Sequence, residues 1–138
     1  MDTSRSVAQQ IAEAASAFEQ KRTGLFPSAV TVVLSAETLV ITLHGALSRA
    51  EQTIAKTPAG AAQVREFHRQ LFASSSDPLC QEIKRITGAE VCQADPGIQS
   101  PAGTVVPFFT IGAIVQVFLL SHKLPTETWS GSLTEMNR

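Results

Sequence analysis

The sequence predicts an α+β domain, with a four-stranded, mainly antiparallel sheet, helices packed on one face, and the order α-β-β-α-α-β-β. Three observations lead there. Residues 29–34 with 38–45, and 89–94 with 111–120, are rich in aliphatic and β-branched residues and read as two β-ribbons. Segments with helical periodicity precede and separate them. Apolar residues make up 43% of 138 positions and charged residues 17%, so the chain can bury one core without a metal or disulfide staple.

Residues 3–23 read as an amphipathic helix. Val7, Ile11, Ala14 and Phe18 recur at helical spacing and Leu25 continues the stripe, while Gln9, Gln10, Glu13, Glu19 and Gln20 mostly take the other side. Ala8, Ala12, Ala15 and Ala17 favour helix and permit close approach. Lys21 and Arg22 suit the negative end of the helix dipole, and Gly24 suits the left-handed residue that ends it. After Pro27 come residues 29–34 and 38–45, joined by Ser35-Ala36-Glu37, a connection short enough for a hairpin. Leu39, Ile41 and Leu43 share one face, and Val40, Thr42 and His44 the other. Neither face is strongly polar, which suggests helices on one side and a second subunit on the other.

Ser48-Arg49-Ala50-Glu51 is a capping box, in which serine and glutamate side chains each accept from the other's backbone amide. The short helix it opens breaks at Thr57-Pro58, which also caps the next one. That helix runs to about Phe72 and shares one face among Val64, Phe67, His68 and Leu71. Asp77-Pro78 restarts the chain in a helix lined by Leu79, Cys80, Ile83 and Ile86, with Lys84 and Arg85 near its end at Gly88. Residues 89–94 read as a third strand, 95–103 as a loop and 111–120 as the fourth strand. The polar tail from His122 is expected to fray, giving one domain over 1–121 and a tail over 122–138. The apolar stretch 105–120 has 16 residues and holds Pro107, Gly112 and Gln116, short of the roughly 20 that span a bilayer. The N-terminus lacks the apolar run of a secretory signal, so the cytoplasm is the expected compartment.

Lys and Arg total 11 against 12 Asp and Glu, a formal net charge of -1 that argues against nucleic acid as a partner. No phosphate-binding loop, nucleophile elbow, metalloprotease motif or paired-carboxylate constellation is present, so no catalytic residue is assigned and an enzyme is not expected. Cys80 and Cys92 have no metal-ligand spacing and read as buried thiols; His44, His68 and His122 are scattered, so neither metal nor cofactor is implied. His44 ends a strand beside Gly45, where a ligand can approach the backbone. Glu51 is first a capping residue, and Arg65 and Arg69, one turn apart, read as a solvated face or an anion clamp. A small-ligand or anion-sensing module would draw on His44, Glu51, Arg65 and Arg69, near the start of the capping-box helix.

Several segments together resemble a known family. They are Gly24-Leu25-Phe26-Pro27, Leu39 through Leu47, Ser48-Arg49-Ala50-Glu51-Gln52, Ile86 through Val91, and Val115 through Leu120. Gly45, Leu47, Ser48 and Glu51 match a G-x-L-(T/S)-x-x-E pattern, Thr87, Gly88 and Val91 a T-G-x-x-V pattern, and Val115, Val117, Phe118 and Leu120 a V-x-V-F-x-L ending. Over about residues 5–121 the chain is similar to the MpsC-like domain family, named for a sodium-translocating, membrane-potential-generating system. The resemblance implies an accessory or regulatory role beside a membrane transporter complex, with a link to inorganic-carbon uptake, at the inner face of the membrane. It supplies no catalytic residues. The segment 96–110 is longer than the short turn of a typical member and carries Val106, Phe108 and Phe109, the candidate contact residues of a homodimer or partner interface.

Overall fold

The computed structural model describes residues 5–75, 77–91, 103–108 and 113–132, with backbone alone for 103–108. The elements are α1 (Val7–Thr23), β1 (Ala29–His44), α2 (Arg49–Ile54), α3 (Pro58–Ser75), α4 (Asp77–Thr87), β2 (Gly103–Phe108) and β3 (Ala113–Gly131). One antiparallel sheet has three strands in the order β1-β3-β2.

This corrects the expected four-stranded sheet and its element order. The expected third strand at 89–94 is absent from the described part of that stretch: Val91 forms only an isolated bridge to Leu120. Gly88, at φ +79, ends α4, and Ala89 is buried at once, so the chain enters the core without room for a ladder. Besides that bridge it meets β3 at Ser121, whose N–H donates to the Glu90 carbonyl at 2.8 Å and whose Oγ accepts from Glu90 N–H at 3.0 Å. β2 begins where a loop was expected to end. β3 runs on through residues 122–131, which were expected to fray; Leu124 and Trp129 pack against the core there, and Glu127 accepts from the Ala8 amide at the start of α1.

The strand β1 doubles back on itself. Ser28 N–H donates to the His44 carbonyl at 2.8 Å, so the two ends of β1 lie side by side and the bend falls at Ala36, φ +55. The buried positions switch parity across it, from Val30, Val32 and Leu34 to Leu39, Ile41 and Leu43, which keeps both arms facing one core. β3 follows the bend from outside. Leu43 through Thr38 pair with Ile114 through Leu119, and Leu34 through Val30 with Glu127 through Gly131. Around the tip, residues 35–37 of β1 face 120–126 of β3, three residues against seven, because the outer path is longer. Gly45, at φ +62, closes the ribbon's open end, where an added Cβ would meet Ser28 Oγ at 2.6 Å.

Ala36 is a non-glycine residue in the left-handed region, which costs an L side chain free energy. Ala36→Gly is expected to raise stability by about 0.5–1 kcal/mol, seen as a higher urea midpoint at unchanged m-value.

The other helix ends named from the sequence hold, but α1 begins at Val7 rather than residue 3, behind a Ser6 cap that was not anticipated. Ser6 Oγ accepts from Gln9 N–H at 3.1 Å, and Gly24, at φ +81, donates its N–H to the Gln20 carbonyl at 2.7 Å. Thr57 Oγ1 accepts from Gly60 N–H at 3.0 Å ahead of α3. Ala8, Ile11, Ala12 and Ala15 lay α1 on the sheet with α4 beside it, through Leu79 and Ile83. From α3, Phe72 meets Phe118 of β3 with ring centroids 5.8 Å apart. Burying a side chain of this size contributes roughly 1.5–3 kcal/mol. On the opposite sheet face Val33, Val40, Thr42, Val115 and Val117 are half-buried and Leu119 is exposed.

Candidate functional site

The C-terminal end of α1, the short helix α2 and the middle of α3 line an open cavity of about 490 Å³. Leu25, Ile54, Val64, Phe67 and Leu71 form its apolar wall, and Arg22, Ser48 and Glu51 are among its polar groups. Each is placed by a local rule. Gly24 stops α1 two residues after Arg22, and so places Arg22 in the last turn of the helix. The capping box fixes Glu51: its Oε1 accepts from Ser48 N–H at 2.9 Å, and Ser48 Oγ accepts from Glu51 N–H at 3.2 Å. Helical spacing on α3 turns Val64, His68 and Phe72 inward and leaves Phe67 exposed at the cavity's edge.

Two polar pairs stand around this cavity. His68, only 3% exposed, bonds through Nε2 to Glu51 Oε2 at 2.7 Å, so both Glu51 oxygens are occupied. The other pair is Arg22 with Glu19. Arg22 Nη2 lies 2.5 Å from Glu19 Oε1, with side-chain exposures of 6% and 0%. The guanidinium stacks over Phe18 at 4.7 Å and Phe72 at 5.9 Å, which holds its plane. Arg22 Nε and Nη1 and Glu19 Oε2 are buried without a hydrogen-bond partner. Buried polar groups are ordinarily bonded, so three orphans in one ion pair beside a cavity are exceptional.

Of the residues the sequence singled out for ligand binding, Glu51 alone reaches this cavity. His44 lies on the outer sheet face with Nε2 3.2 Å from Thr31 Oγ1. Arg65 and Arg69 sit on the solvent side of α3. Arg69 donates to Glu66 through Nε at 3.0 Å and Nη2 at 2.6 Å. Those bonds, with a further one from Gln70, hold the Glu66 carboxyl down to about 2. The four residues therefore do not converge. The sequence reading missed Glu19, which it placed on the polar face, and Arg22, which it read only as a dipole partner. The available signal was the i, i+4 series Ile11, Ala15, Glu19, which continues the buried face.

Val106 and Phe108 fall on β2, opposite Val115 and Ala113, but their side chains and all of Phe109 lie outside the described residues. The same holds for Cys92. Cys80 is a half-buried free thiol on α4 whose pKa is pushed up to about 11, by burial first and by the Asp77 charge second. Its alkylation by iodoacetamide is therefore expected to be slow at pH 8 and to climb about tenfold per pH unit toward 11, since the thiolate is the nucleophile. A rate already levelling at pH 9 would contradict this burial. Among the described residues no group of three or more His, Cys, Asp or Glu could hold a metal ion, and no helix is long and apolar enough to cross a membrane.

A family model described as the Na+-translocating membrane potential-generating system (MpsC) matches residues 3–111. The chain is a member of the MpsC family. The MpsC match takes in α1 through β2 and so contains the whole cavity; the Val115–Leu120 ending lies beyond it. Neither the curated proteins nor the solved structures include a match to this MpsC chain.

Proposed function

We propose that this MpsC chain is a non-catalytic accessory or regulatory component of a membrane-potential-generating system. It acts by contact with the membrane-embedded part of that system, from the cytoplasmic side. Family membership over residues 3–111 carries the reading. The state of the chemical groups supports the non-catalytic part. The Cys80 thiol is a poor nucleophile at neutral pH, and Glu51 and His68 are committed to each other and to the α2 cap. The half-buried aliphatic sheet face supports a homodimer, with the segment around Val106, Phe108 and Phe109 as its proposed contact region. A link to inorganic-carbon uptake is part of the same proposal.

Deleting the gene from its native host and following membrane potential with a voltage-sensitive dye tests the role. The expected result is a smaller potential that has lost its dependence on external Na+, restored by complementation. An unchanged potential and Na+ dependence would overturn it. Light scattering at micromolar concentration tests the dimer, which should weigh twice the 14.7 kDa chain.

A further inference from the structure

We infer that two copies of the chain pair through the outer face of the sheet, one sheet stacked on the other about a twofold axis. This rests on the homodimer reading above and names the surface that makes it.

The face is built by strand alternation. Outward positions of β1 and β3 alternate with core-facing ones, and among them are Val33, Val40, Thr42, Val115, Val117 and Leu119. The core takes in Val30, Val32, Leu34, Leu39, Ile41 and Leu43 from β1 and none of the outward residues, because α1, α3 and α4 complete it from the inner side. Charged residues are 17% of the chain, yet residues 29–34, 38–44, 113–119 and 128–131 contain no Asp, Glu, Lys or Arg. Every described charge therefore lies on the helices, at the ribbon's tip or in the connections. The titratable outward side chain, His44, stands at the open end, bonded to Thr31 Oγ1 at 3.2 Å. Loss of charge from a surface is the compositional mark of an interface core.

The same absence of charge selects the occupant. Nucleic acid, an anionic bilayer surface or a charged peptide finds no counter-charge on this face. A surface that is itself extended, aliphatic and uncharged fits it, and a second copy supplies one. Valine and threonine rows of two such sheets interdigitate at about 10 Å, and a twofold axis closes the pair so that it does not grow into a filament. The size is adequate. Two arms of β1, two of β3 and the bordering β2, which holds Val106, lie side by side. Strands about 4.8 Å apart and roughly five residues long give such a face about 400 Å² in projection. Side-chain relief enlarges this, so the pair removes about 1,000 Å² from water, the lower bound of specific interfaces. That size suits a dimer in exchange with monomer.

Light scattering of the full chain over a dilution series tests the surface. Wild type should rise from 14.7 kDa toward twice that mass across roughly 1–200 µM. Val40→Lys places a charge on an inner arm of the face, and the folded variant should stay at 14.7 kDa throughout. Leu119 is 55% exposed, so Leu119→Glu should fold, and it should weaken association about tenfold or more. Phe67→Glu, at 54% exposure on the helical side, should associate as wild type does. Wild type fixed at 14.7 kDa would overturn the surface and the dimer together. Wild-type association in folded Val40→Lys and Leu119→Glu would overturn the surface alone and leave a dimer made elsewhere. Should Val40→Lys fail to fold, Leu119→Glu decides.

Discussion

Arg22→Ala is expected to destabilise the protein by about 3–5 kcal/mol, the largest loss from any single charged side chain described, because it strands a buried carboxylate. Glu19 is fully buried, and Arg22 is the cation that neutralises it. Truncation removes the 2.5 Å ion pair and the stacking on Phe18 and Phe72, and leaves the carboxylate in an apolar surrounding. Two comparisons separate this from a general effect of losing arginine. Arg85→Ala removes an equally well-formed i, i+3 pair with Glu82, but both partners are exposed and screened by solvent, so the urea midpoint should hardly move. Replacing the pair together, as Glu19→Leu/Arg22→Met, removes both charges and should return most of the stability. Urea unfolding of the four proteins reads all of this. An Arg22→Ala loss no larger than that of Arg85→Ala would show that the pair is hydrated rather than buried.

The parts of the fold that were legible in the sequence are those governed by neighbours in the chain. Gly24, the Ser48–Glu51 box, Thr57 and Gly88 are local devices, and helix ends fall where these residues direct; Ser6, which caps α1, was passed over when the helix was expected from residue 3. The turn back near Ser35-Ala36-Glu37 is local too, as is the parity switch from Leu34 to Leu39. The sheet's membership was not legible, because it depends on partners far away. Residues 89–91 and 122–131 show the two sides of this. The first are apolar enough for a strand, yet they meet β3 only in an isolated bridge and the bonds between Glu90 and Ser121. The second are polar enough for a frayed tail, yet their backbone pairs with Val30 through Leu34, and an outer strand needs few apolar side chains. Composition reports burial well and pairing poorly.

The site divides in the same way. Glu51 was visible because S-x-x-E is a local motif. Its second oxygen goes to His68, seventeen residues on, and no spacing rule links them before α2 and α3 are packed together. Glu19 looked polar because a carboxylate usually faces water, and only the small residues Ala12 and Ala15 on its stripe, which let α1 approach the sheet closely, indicated otherwise. Arg65 and Arg69 drew attention as paired cations, but Arg69 is engaged by Glu66 on the same exposed face. Spacing along one helix shows which side chains are neighbours and not which side of the helix meets the protein.

Gly60→Ala provides the cleanest test of how α2 and α3 are held, because two effects predict opposite signs. Helix propensity alone would make the change favourable by about 1 kcal/mol, since alanine is the better helix former. The packing says the reverse. Gly60 is buried in the first turn of α3, and a Cβ there would stand 1.8 Å from the Ile54 carbonyl oxygen and 2.8 Å from its carbon. Both atoms are backbone, so no side-chain rotation relieves the clash; the end of α2 must move. It is not free to move, because α2 is tied at its start by the capping box and across to α3 by Glu51 on His68. Overpacking of this kind costs about 3 kcal/mol, so the net expectation is a loss of about 2 kcal/mol, or a melting temperature lower by about 6 °C. Ala62→Gly, at an exposed position in the same helix, supplies the propensity term by itself and should cost about 1 kcal/mol. Amide exchange should also quicken in residues 49–54 of the Gly60→Ala protein while α1 keeps its protection, since the disturbed contact is between α2 and α3. A Gly60→Ala protein more stable than wild type would mean that α2 does not lie against α3 at this point, and the wall that Ile54 contributes to the cavity would be misplaced with it.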